Sequence, residues 1–166
     1  QHQIDFSLPM VGNIKLRKFN LSDNVLFYAY QGQYASHSPN GRGEMIIYDK
    51  GASMRKFNGN FINGVLQAGG TVELIAPEAI KQSIFFIHEL VNDCYNGKLQ
   101  ETLPDAEGNA WLSTTLEGFF SHSYKILRGK KTTVQQLGMY LCKTIETGVF
   151  NKDQQLHSSE KSSICQ

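Results

Sequence analysis

The stretch 30-YQGQYASHSPNGRG-43 is followed by 57-FNGNFINGVLQAGG-70, so aromatic–x–Gly–x–aromatic is written twice and each copy closes on a glycine cluster. With the first aromatic as position one, Tyr30, Gly32 and Tyr34 fall at one, three and five, and Gly41 and Gly43 at twelve and fourteen. In the second copy Phe57, Gly59, Phe61, Gly64 and Gly70 fall at one, three, five, eight and fourteen. Positions one, three and five of a strand share a face, so two aromatics flank a glycine that leaves room for a neighbouring ring or backbone. The later glycines permit tight turns or bulges that a β-carbon would obstruct, and NGRG reads as the turn that closes a repeat. Such a unit cannot bury its aromatics alone and must stack on a copy of itself.

Around the doubled stretch, 25-VLFYAY-30, 45-MIIY-48 and 71-TVELI-75 are short apolar runs separated by turn-prone pieces, the pattern of strands joined by tight connections. After Pro77 the texture changes. In 78-EAIKQSIFFIHELVNDCYNG-97, Ile80, Ile84, Ile87, Leu90, Val91 and Cys94 recur at three- and four-residue steps, which predicts an amphipathic helix started by Pro77 and stopped by Gly97. The segment 98-KLQETLPDAEGN-109 reads as a connection. Leu112, Leu116, Phe119, Phe120, Tyr124 and Leu127 predict a second helix ending at Gly129, and Val134, Leu137, Leu141 and Ile145 a third ending at Gly148. The tail 152-KDQQLHSSEKSSICQ-166 is polar and weakly patterned, and is expected to be frayed or helical only in part. The expected fold is therefore α+β, with an antiparallel repeat sheet over 1–76, a helical region over 77–150 and a polar tail over 151–166.

The chain has 166 residues, enough for one ordinary domain or two small ones with a real core. Its 16 Lys+Arg stand against 15 Asp+Glu, and without a long run of like charge nucleic acid is a poor partner. Cys94, Cys142 and Cys165 are odd in number, widely spaced and without a CxxC, which argues against a disulfide framework or a zinc knuckle and for a reducing, cytoplasmic setting. The sequence contains neither a run of about 18 apolar residues nor a visible export signal at its start. A chain that starts at Gln1 and stops at Gln166 reads as a fragment of something longer.

The doubled stretch resembles MORN repeats, over about Tyr30 to Leu74, with a vaguer preceding unit in 12-GNIKLRKFNLSDNVLFYAY-30. His37 stands where the first copy should have glycine, Ala68 replaces one in the second, and the copies are further apart than the family's usual step. The resemblance implies hairpins stacked into an elongated sheet, and a role in scaffolding, membrane apposition or partner binding without chemistry. Further on, 112-LSTTLEGFFSHSY-124 resembles the opening of a RUN domain through Leu112, Leu116, Glu117, Phe120 and His122, although Ser123 departs from that pattern and the later helices are absent. That resemblance implies an all-helical module engaging small GTPases or motor-linked partners.

Two catalytic alternatives stand beside the scaffold. The run 88-HELVND-93 has the His–Glu start of a zinc-hydrolase helix, with Asn92 where the second histidine must be, so His88 and Glu89 form at most a broken metal site. The pieces 37-HSPNGRG-43 and 93-DCYNG-97 are similar to a caspase-like peptidase pair, with His37 as base and Cys94 as thiolate nucleophile. Against this, Cys94 continues an apolar stripe, and too few residues precede His37 for that fold's opening elements. The sequence leads to an interaction module without metal or cofactor, binding a protein partner, a peptide or a small GTPase. Tyr28, Tyr30, Tyr34, Tyr48 and Phe57 are the candidate contact surface, and association with a membrane surface or with a second copy is a further expectation.

Overall fold

The computed structural model describes residues 14–18, 25–36, 38–49, 53–76, 81–91, 94–121, 123–153 and 156–166. Among these the regular structure is all strand: the helical half expected after residue 77 is absent, and the α+β expectation is corrected to all-β. The chain divides into two compact units, Gln1–Ala79 and Ile80–Gln166.

In the first unit β1 (Ile14–Lys18), β2 (Val25–Ala35), β3 (Ser38–Asp49), β4 (Met54–Ile62) and β6 (Thr71–Ile75) follow one another as an antiparallel meander, with β5 (Val65–Leu66) folded back onto β4. The fold-back is set by 63-NG-64. Both residues have positive φ, 49° and 82°, as a two-residue hairpin turn of the type that matches strand twist requires. The register aligns Gly32 with Gly43 and Gly43 with Gly59, and a Cβ on Gly59 would sit 2.9 Å from Gly70 Cα. The glycines at positions three and fourteen of both copies thus form one row across the strands. On the same face Tyr30, Met45, Ile47, Phe61, Leu66 and Val72 make the core, with Tyr30 and Phe61 edge to face at 5.5 Å.

The second unit is the meander β7 (Gln82–Val91), β8 (Cys94–Pro104), β9 (Ala110–Phe120), β10 (Ile126–Leu137), β11 (Tyr140–Phe150) and β12 (Leu156–Cys165). The first expected helix is β7 with the start of β8, the second is β9 running into β10, the third is β10 and β11, and most of the polar tail is β12. The connection at 105–109 is a hairpin turn in which Asp105 Oδ1 accepts the backbone N–H groups of Glu107 and Asn109, each at 2.9 Å.

A second glycine row crosses this unit. Gly97 pairs with Gly118, Gly118 with Gly129, Gly129 with Gly148, and Gly148 with Ser159. The core on that face holds Phe85, Ile87, Leu99, Leu116, Phe120, Tyr124, Ile126 and Phe150. The row makes this packing possible. Phe85 lies diagonally across from Gly97, and a Cβ there would sit 2.7 Å from its Cζ, so the ring occupies the space a side chain would take.

Candidate functional site

The residues singled out in the sequence separate on the sheet. Tyr30 is fully buried, its hydroxyl donates to the Gln33 carbonyl at 2.7 Å, and its ring covers Gly43. It is a core residue. Tyr34 and Phe57 lie half-buried on the same face, whereas Tyr48 pairs with Met54 on the opposite face, so the candidate tyrosines do not line one groove. Tyr28 occupies a register position opposite Ile47 on β2, and its side chain lies outside the described residues.

Burial, and then the neighbouring Tyr30 at 5.2 Å between ring centroids, push the Tyr34 phenol up to about 12. A phenol whose folded pKa exceeds its unfolded value stabilises the fold below the unfolded pKa, about 10, and that contribution is lost as pH rises toward 12. Urea midpoints at pH 9 and 11.5 are therefore expected to fall less in Tyr34→Phe than in the unaltered chain. An equal fall in both would remove Tyr34 from the alkaline transition.

Of the two catalytic alternatives, the metal site loses the helix it was built on, and the pairing of His37 with Cys94 falls in part outside the described residues. His37 and His122 lie outside the described residues. His88 and Glu89 are exposed neighbours on a strand, at a register shift in β7, rather than members of a helical face that could grip an ion. Among the described residues no group of three His, Cys, Asp or Glu side chains could hold a metal. Cys94 opens β8 opposite Val91, half-buried and free.

The expectation of unpaired thiols is corrected at Cys142 and Cys165, which stand directly opposite on β11 and β12 and are joined as a disulfide with Cα atoms 4.0 Å apart. The pairing follows from the ladder. Leu141 and Gln166 exchange both backbone hydrogen bonds, which makes the next pair non-hydrogen-bonded, the position where opposed β-carbons approach most closely.

What the sequence reading did not single out is an apolar patch on β9 to β12. The rung Ser113, Val134, Lys143, Ile164 lies on the face opposite the glycine row, as does the rung Thr115, Thr132, Ile145, Ser162. Strand alternation puts Trp111 on this face too, and Leu141 joins it across from Gln136. Trp111, Leu141 and Ile164 are 38%, 50% and 54% exposed. Nearby, Met139 at the β10–β11 turn is 95% exposed. In the sequence Val134, Leu141 and Ile145 read as part of a helix stripe, Ile164 lay in the polar tail, and Trp111 and Met139 were not singled out.

Elsewhere on the same face charged groups lie on aromatic faces, with Lys98 Nζ 4.9 Å from the Phe86 centroid and the Arg128 guanidinium 5.3 Å from that of Phe119. Among the described residues no helix is long and apolar enough to cross a membrane. Comparison of the chain with protein-family models, with curated proteins and with solved structures gives no match.

Proposed function

We propose that the chain is a non-enzymatic, repeat-built scaffold of the MORN-like kind, and that it binds a protein partner through the outer face of β9 to β12. The observation that carries this reading is the shared face of Trp111, Val134, Leu141, Ile145 and Ile164. Exposed apolar side chains grouped with polar ones, here Ser113 and Thr132 beside Val134, and Lys143 in the midst of Val134, Leu141, Ile145 and Ile164, are what a protein-binding surface presents. The matched register of the two glycine rows supports the repeat-built part. The contact surface moves from the tyrosines of the first unit to this patch because Tyr30 is core and Tyr48 faces the other way. A small GTPase as partner rested on a helical segment that is strand, and is not carried forward.

Leu141→Glu places a charge in the patch at a half-exposed position and is expected to abolish capture of a partner that the unaltered chain retains, while far-UV circular dichroism and the unfolding midpoint stay unchanged. Trp111→Ala is expected to weaken the same capture by tenfold or more, as loss of an aromatic anchor does. A partner held equally by both variants would refute the patch. Reaction of Cys94 with a thiol probe near neutral pH, abolished by His37→Ala, would instead support a cysteine-based enzyme.

A further inference from the structure

We infer that the Cys142–Cys165 disulfide is a reversible clamp holding β12 on the sheet, so that a dithiol reductant releases this strand and uncovers the hydrogen-bonding edge of β11. Three observations converge on it. First, the described end of β12 adds little else to hold it: the side chains of Ser162, Ser163, Ile164, Cys165 and Gln166 are all exposed. The one side-chain hydrogen bond described between the two strands, Thr144 Oγ1 to Ser163 Oγ at 3.1 Å, is itself exposed and worth little net.

Second, the bond sits at the far end of the β11–β12 hairpin and closes a loop of 23 residues, a constraint that cuts deeply into the freedom of the detached strand. Third, it is accessible. Cys165 is exposed and Cys142 half-buried, whereas the remaining thiol, Cys94, is on β8.

The chemistry is thiol–disulfide exchange. One thiolate of the reductant attacks Sγ of Cys165, the S–S bond breaks, and Cys142 leaves as thiolate. The second thiolate of the reductant then displaces Cys165 from the mixed disulfide, closing the reductant's own S–S bond. Two electrons pass from the dithiol to the two cysteines, and its two protons end on them. Once unclamped, the described end of β12, residues 162–165, is an exposed segment held by backbone hydrogen bonds, which open at little cost. Its departure turns β11 from an inner strand into an edge able to accept another extended segment.

The test is amide hydrogen exchange of the full chain carrying Cys94→Ser, so that every thiol released comes from the clamp, before and after reduction by dithiothreitol. Reduction is expected to liberate two thiols and speed exchange over residues 156–165 by roughly two orders of magnitude, the factor a loop of this size is worth. Exchange in β7, β8 and β9 should stay unchanged, and reoxidation should restore protection. Cys142→Ser with Cys165→Ser should show the fast exchange without reductant. Two free thiols in the untreated Cys94→Ser chain, or full protection of β12 after reduction, would overturn the proposal. Loss of protection throughout β7 to β12 would equally overturn it, by making the bond a staple of the whole unit.

Discussion

Replacing Phe85 by alanine is expected to cost about 3–5 kcal/mol of stability, against about 1 kcal/mol for the same change at Phe86. Phe85 is fully buried, with ring centroids of Phe120, Tyr124 and Tyr95 at 4.9, 5.3 and 5.5 Å. Its removal opens a hole that cannot collapse easily, because part of the wall is the backbone at Gly97, which has no side chain to swing inward. The neighbouring Phe86 points to the other face, half-buried beneath Lys98, and its truncation leaves no enclosed cavity. Urea unfolding followed by the fluorescence of the single tryptophan, Trp111, reports on this unit directly. Equal losses at the two positions would contradict the alternation of β7, whatever the total stability.

That alternation shows how much of the fold was legible. In the first unit the sequence carried its own register: 71-TVELI-75 is β6 residue for residue, and 25-VLFYAY-30 and 45-MIIY-48 lie inside β2 and β3. In the second unit the apolar steps of three and four matched a helix because both faces of β7 bear large apolar side chains: Phe85 and Ile87 are core, while Ile84 and Phe86 are half-buried. A strand apolar on both faces shows no clean period of two, and composition then decides. The aromatic and β-branched SIFFI favours strand.

The glycines carried the other signal. Gly118 inside the second expected helix is a costly residue there, and with Gly129 it repeats the interval of eleven that separates Gly32 from Gly43. Both second members follow an arginine, in 42-RG-43 and 128-RG-129. The candidate patch was legible as residues and illegible as a surface, because only the strand register puts Trp111, Leu141 and Ile164 on one face. Cys142 and Cys165 were likewise unreadable as a pair: they are 23 residues apart in the chain, and only the hairpin register makes them direct neighbours.

Gly118→Ala is expected to cost about 3 kcal/mol or more, since two penalties act at once. Its φ of +145° lies where residues with a β-carbon rarely go, and the added methyl would overlap the Arg128 carbonyl oxygen and stand 2.8 Å from Gly129 Cα. Both obstacles are backbone of the paired strand, so neither can rotate away without breaking the ladder. Gly138→Ala separates the two penalties: there φ is +61° but nothing lies within 4 Å of the new methyl, and about 1 kcal/mol is expected for the backbone conformation alone. In the first unit Gly32, with φ +150°, would drive a methyl onto the Arg42 carbonyl oxygen and Gly43 Cα, the same two obstacles in the same order. If the two units are built from one recurring hairpin, Gly32→Ala and Gly118→Ala should cost the same within about 1 kcal/mol in urea unfolding, and each should exceed Gly138→Ala severalfold. A small loss at Gly118 beside a large one at Gly32 would confine the repeat to the first unit, and with it the claim that the glycine rows have a common structural cause.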